Sequence, residues 1–172
     1  MSKRIVTGHN AVGRSIIEIQ DGGARGLGNL SELWVTDATP FDNTVAGDAT
    51  DRPVSLTPPD CGTVFRTFRV LPESASDGVD PGARAALVRE RFAATNASDA
   101  LVDTTRHPAM HKTRTVDYII LLSGRVTLLL DDDEADLEPF DVVVQRGTNH
   151  AWVNHGEETA LLIAVLIDAK EL

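Results

Sequence analysis

At 172 residues, 42% hydrophobic and 24% charged, the chain can bury one sizeable core and is short for two comfortable domains. Sixteen basic residues against twenty-six acidic ones give a formal net charge of −10, and with no concentrated basic patch a nucleic-acid backbone would be repelled. The N-terminus lacks a signal-like apolar run and no stretch approaches the roughly 20 apolar residues of a membrane span, so the expectation is a cytoplasmic protein with no membrane partner. Cys61 is the only cysteine; it excludes an internal disulfide and a thiolate cluster for zinc, and PPDCGTV around it offers no activating base.

In chain order, GRSIIEIQ (13–20) alternates at period two and predicts a strand. DGGARGLG (21–28) lacks the lysine of a phosphate-cradling loop and the spacing of a dinucleotide fingerprint, and reads as a hairpin loop. A strand at ELWV (32–35) precedes the segment 40–62, which has no periodicity and reads as a loop or arm, a lid or a contact to a partner subunit. TVFRTFRV (63–70) is the next strand. Arg66 falls between Val64 and Phe68 on one of its faces; the reading is an edge position in water, with an inward guanidinium holding an anionic substrate group as the alternative. PGARAALVRERFAA (81–94) predicts a helix, opened by Pro81 and Gly82, with Ala85, Val88 and Phe92 on one face.

Strands follow at TVDYIILL (115–122), RVTLLL (125–130), DVVVQ (141–145), HAWVN (150–154) and TALLIAVLID (159–168). Ser123-Gly124 is a tight turn, RGTN (146–149) turns at its glycine, and DDDEAD (131–136) is a solvated hairpin tip, since a calcium loop would need a central glycine and flanking helices. Eight short strands with polar turns mean an all-β antiparallel sandwich or barrel, one end of which the helix would cap.

If 111–117 is extended, His111, Thr113, Thr115 and Asp117 share a face, and the same parity puts His150, Trp152 and Asn154 together. The two hairpins between them could bring the strands into contact. Two imidazoles and a carboxylate suit zinc, manganese or ferrous iron, with positions left open for substrate or dioxygen. A hydrogen-bonded cluster, in which a buried Asp117 takes a histidine or threonine partner without metal, satisfies the same spacing. His107 reads as a loop histidine, with a replacement ligand or general base as the alternative; His9 and His155 belong to the surface, and Tyr118, of opposite parity to Asp117, faces outward.

The block from Met110 to Asn154 resembles the core of the small single-domain cupins, built on the motifs G-x5-H-x-H-x3,4-E-x6-G and G-x5-P-x-G-x2-H-x3-N. Asp117 and Gly124 match E-x6-G with Asp for Glu; His111 falls on the first histidine and Thr113 on the second. Gly147, His150 and Asn154 match G-x2-H-x3-N without a gap. Departures are Thr105 for the leading glycine, Thr113 for a histidine ligand, Phe140 at the usual Gly-Asp turn and Gln145 for the proline.

The resemblance implies one cupin domain over 1–172: a double-stranded β-helix, or jelly-roll-like barrel, with core motifs at 105–170 and a strand, loop and helix extension over 1–100. It implies a small-molecule ligand, a divalent transition metal (Fe, Mn or Zn) on His111, Asp117 and His150, no organic cofactor, and a homodimer for which Trp34 and the 40–62 arm are contact candidates. Two functions follow. One is a metal-dependent enzyme of dioxygenase, lyase, isomerase or decarboxylase type; the other is a non-catalytic binding cupin in which Asp117 and the histidines form a polar cluster.

Overall fold

Alternation of apolar and polar residues over short runs builds eleven strands in the computed structural model, which describes residues 3–22 and 25–171. They are β1 (Arg4–His9), β2 (Ser15–Asp21), β3 (Gly26–Leu27), β4 (Leu30–Thr36), β5 (Thr63–Val70), β6 (Thr115–Ser123), β7 (Val126–Leu130), β8 (Glu134–Leu137), β9 (Val142–Arg146), β10 (His150–Val153) and β11 (Ala160–Asp168). A six-stranded sheet of order β3-β4-β5-β11-β6-β9 faces a three-stranded sheet of order β10-β7-β8, and β1 and β2 form a separate hairpin. The molecule is the expected all-β, jelly-roll-like barrel.

The centre of the large sheet is β11, the most apolar run in the chain, whose even-numbered residues alternate inward as Ala160, Leu162, Ala164 and Leu166. It pairs antiparallel with β5 on one side and β6 on the other, in a register that sets Ala164 beside both Arg66 and Ile119, and Leu166 beside both Val64 and Asp117. Val35, Ile119, Leu121, Val126 and Leu137 complete a core closed from both sheets. Because side chains alternate along a strand, this register also fixes which polar residues must enter that core.

Three strands escape the sequence pattern. β3 is two residues long, β1 alternates beside a charged terminus, and β8 is hidden in the acidic run, where Glu134, Ala135 and Asp136 are exposed and only Leu137 is buried. The solvated tip is therefore shorter than expected, and Asp136 accepts a hydrogen bond from Thr127 Oγ1 at 2.7 Å. Residues 23 and 24 of the expected 21–28 loop lie outside the described residues.

Helix α1 (Pro81–Ala94) has the expected bounds, and its N-cap is Asp80, whose carboxylate accepts from the Ala83 amide at 3.0 Å. The 40–62 arm carries no strand, yet its inner part packs on its own subunit: Thr50 and Val54 are buried, and the Leu56 amide donates to Thr95 O just past the helix. Arg4 ties the N-terminal hairpin to this arm through Asp21 and Asp48.

Two turn positions make opposite predictions. Gly124, between β6 and β7, has φ +83°, and a Cβ there would meet Ala160 Cα at 2.7 Å; Gly124→Ala is expected to destabilise the fold by about 2 kcal/mol or more. Phe140 holds φ +76° with its ring 77% exposed, so Phe140→Gly relieves left-handed strain at little packing cost and is expected to stabilise by about 1 kcal/mol. Denaturant midpoints of the two variants against the parent protein check both signs.

Candidate functional site

His111 and His150 form an antiparallel bridge in which each backbone amide donates to the other's carbonyl at 2.9 Å. The bridge sets the two imidazoles 4.3 Å apart, centroid to centroid. Phe92 of α1 packs edge-on to His111 at 5.0 Å and Trp152 edge-on to His150 at 5.8 Å, with Phe68 of β5 6.0 Å beyond Trp152. Helix α1 buries no residue of its own, and it meets the site through the Phe92 ring.

Each imidazole is oriented by its own chain. Nδ1 of His111 lies 2.9 Å from Ala109 O and Nδ1 of His150 lies 3.0 Å from Thr148 O. A carbonyl only accepts, so both Nδ1 atoms carry the proton and both Nε2 atoms present a lone pair. The buried amide of Gln145 also donates to Thr148 O at 3.0 Å, holding the turn that delivers His150. Burial lowers the basicity of both rings; His150, with His111 beside it, is pushed down to about 3. At neutral pH the pair offers neutral acceptors.

Asp117 faces inward, as parity suggests, but from a different sheet than His111. His111 belongs to the edge of the small sheet, residues 112–114 cross between sheets, and β6 begins at Thr115 in the large sheet. Alternation nonetheless carries through the crossing: His111 is half-buried and Thr113, Thr115 and Asp117 are buried, whereas Lys112 and Arg114 are exposed. It continues along β6, where Thr115, Asp117, Ile119 and Leu121 all point inward. Thr113 and Thr115 share a hydroxyl–hydroxyl hydrogen bond of 2.7 Å. Among the described residues, no three His, Cys, Asp or Glu side chains are grouped to hold one ion.

Burial raises the Asp117 carboxyl to about 6, against the opposing pull of the Thr115 hydroxyl and the Arg66 charge. Its Oδ1 is buried with no partner. Arg66 corrects the sequence reading: its side chain is 2% exposed and points into the barrel, where Nη2 donates to Glu32 Oε1 at 3.1 Å and to Ser55 O at 2.5 Å. The inward position follows from its place between Val64 and Phe68 on the core face of β5; Glu32, opposite it on β4, gave no comparable signal.

The remaining candidates have settled roles. His107 accepts the Ala109 amide on Nδ1 at 3.1 Å and faces Glu73 at 3.5 Å through Nε2, so both its nitrogens are engaged outside the site. Asn154 donates to Val70 O and Glu158 O and accepts from the Gly156 amide, a structural clamp. Tyr118, His9 and His155 are exposed, as is Cys61.

A cleft of about 590 Å³ opens at the β6, β9 and β11 end of the barrel, within the size range of small-molecule sites. Lys112, Thr113, Arg114, Thr115, Arg146 and Lys170 are among its lining residues. Three of its wall segments adjoin the interior groups in sequence: Lys112 follows His111, Thr115 precedes Asp117 by two residues, and Arg146-Gly147 precede His150. Arg114 is neutralised by Asp60 and Asp168.

The family model described as "Cupin domain" matches residues 102–166, the stretch that carries both bridged histidines and Asp117. Over this stretch the chain is similar to the cupin family. Phomopsin biosynthesis cluster protein D from Diaporthe leptostromiformis is 40% identical over 65 residues, 37% of this chain and 34% of that one. The cupin-domain-containing oxidoreductase srdD from Neurospora crassa is 39% identical over 67 residues, again 37% and 34% of the two chains. The matched part thus spans about a third of the length of these curated relatives. A cupin 2 conserved barrel domain protein from Salinispora arenicola CNS-205 aligns with 81% of this chain and 75% of its own at 16% identity and a TM-score of 0.40. Among the described residues no helix is long and apolar enough to cross a membrane.

For a divalent transition ion the bridged imidazole pair fits: both rings are neutral, with Nδ1 pinned by a carbonyl and no hydrogen-bond partner on Nε2 among the described residues, the usual preparation of a histidine ligand. Asp117 stands on the other sheet, outside a shared donor group.

The shifted groups oppose each other in pH. Asp117, raised from 3.8 to about 6, favours the folded state below pH 4, and this contribution is lost as pH rises through 6. His150, lowered from 6.5 to about 3, contributes stability above pH 6.5 that is lost as pH falls toward 3. Asp117→Asn removes the first effect and leaves the second. Between about pH 6 and pH 4 the variant should therefore lose, relative to the parent, on the order of 3 kcal/mol more stability, read from denaturant unfolding at each pH; parallel curves would contradict the assignment.

Proposed function

We propose that the protein is a small-molecule-processing cupin, a metal-dependent enzyme whose chamber is the barrel interior beneath the cleft. In this reading His111 and His150 hold an Fe, Mn or Zn ion and Asp117 is the carboxylate of the same chamber. The observation that carries it is the bridged imidazole pair with both Nε2 lone pairs free. When bound, such an ion supplies a Lewis acid for a substrate oxygen or a site for dioxygen. The protein's own groups admit the substrate past Thr113 and Thr115, exclude water behind Phe92 and Trp152, and present Asp117 as a proton-accepting or hydrogen-bonding group. The oxidoreductase names of the relatives from Neurospora crassa and Aspergillus ruber make oxidation of a small organic molecule the reaction to test first.

A second reading, a metal-free binding barrel, draws on a specific observation: Thr113, at the position of a histidine ligand in the cupin motif, has its hydroxyl engaged by Thr115. Elemental analysis of protein purified without chelator separates the two. Near-stoichiometric metal, lost in His150→Ala while the far-ultraviolet spectrum is kept, is expected; absence of metal even after anaerobic iron or manganese loading leaves the binding barrel. Thr113→His should tighten metal binding at least about tenfold, and unchanged affinity would remove Thr113 from the ligand position.

Homodimerisation belongs to the same proposal. The contact we assign is the outer face of the large sheet, where Tyr118, Val142 and Val144 are exposed beside β9, the edge strand of that sheet; Trp34 and the exposed part of the 40–62 arm are the other candidates. Sedimentation should give a dimer for the parent and a monomer for Val142→Lys/Val144→Lys. A monomeric parent would refute the contact.

A further inference from the structure

Buried polar atoms in folded proteins have partners, and those that lack one point to an occupant. Among the described residues five buried side-chain atoms have none, and four of them lie on one patch: Arg66 Nε and Nη1, Glu32 Oε2 and Asp117 Oδ1. Arg66 and Asp117 stand on the inner face of the large sheet, on the two strands flanking β11, with small Ala164 beside Arg66 in the row between them. The guanidinium is held in place by Glu32 and by the carbonyl of Ser55 from the arm. What is left over is a fixed set of N–H donors and two carboxylate acceptors.

Charge selects the occupant. Buried Arg66 and half-buried Arg52, which acts on Glu32, stand against two carboxyl groups and leave no surplus positive charge in the patch, and an anion brought there would face two carboxylates at low dielectric. The donors require an acceptor oxygen; the carboxylates require an O–H. We propose that Arg66, Glu32 and Asp117 form a subsite for a neutral hydroxy-carbonyl group, its carbonyl oxygen accepting from Arg66 and its adjacent hydroxyl donating to Asp117. The subsite lies inward of Thr115, which lines the cleft, and Phe68, two residues along β5 from Arg66, connects it to the Trp152–His150 rings. The assignment deepens the chamber reading above, on which it rests, and makes Arg66 a specificity residue.

Hydroxyacetone and lactate, which share a three-carbon skeleton and differ in charge, are the probes. Each is titrated into the full-length protein as purified, following the Arg66 Nε–H resonance, identified by its loss in Arg66→Lys, together with the ring signals of His111 and His150. Hydroxyacetone should shift the Arg66 signal saturably and bind about tenfold or more tightly than lactate; Asp117→Leu should weaken it by a similar factor. Lactate binding as tightly as hydroxyacetone overturns the charge argument. Movement of the histidine signals with a still Arg66 overturns the subsite and leaves the chamber reading standing, whereas silence at all of these signals, with the patch holding water only, overturns both.

Discussion

The bridge between His111 and His150 is the contact on which the rest of the site depends. Two reciprocal backbone hydrogen bonds of 2.9 Å add one residue to the edge of the small sheet, and a single such bond is worth only about 1 kcal/mol net. Its effect is geometric. It brings two imidazoles side by side, and it fixes the point from which the chain must cross to the large sheet within three residues. His111 and Asp117 are separated by that crossing, and Thr113 and Thr115 line it.

Inside the barrel the polar groups are arranged by register, because β5, β11 and β6 present alternate residues to one interior. Arg66 and Asp117 therefore enter the core by the same rule as Leu166 and Ile119. Burying them opposes folding unless partners are supplied. Glu32 and Ser55 supply part of what Arg66 needs and the Thr115 hydroxyl part of what Asp117 needs, yet Nε, Nη1 and Oδ1 remain open. A purely structural interior would be better served by apolar residues of similar volume, so the pattern fits a chamber built to receive something polar.

The two halves of the chain contribute unequally to this buried polar cluster. The stretch matched by the cupin family, 102–166, carries the histidines and Asp117. Glu32, Ser55 and Arg66 come from the preceding segment, whose β4 and β5 extend the large sheet and whose arm covers their pair. The acceptor pair thus belongs to the family core, while the groups that would discriminate among ligands are drawn largely from outside it.

Much of this was legible from residues alone. Period-two alternation located the eight principal strands, and helical spacing gave 81–94 with the bounds observed. Asp117 to Gly124 and Gly147 to Asn154 disclosed the cupin core. Such patterns are local, and local backbone preference and side-chain alternation are enough to set them. Tertiary structure decided the rest. Alternation places Thr113, Thr115 and Asp117 inward, as observed, but nothing in MHKTRT says that the chain changes sheets between His111 and Thr115. Nor does a strand pattern say that an arginine between two core residues will find Glu32 and a carbonyl from a distant arm, since those partners exist only once β4, β5 and the arm are in contact.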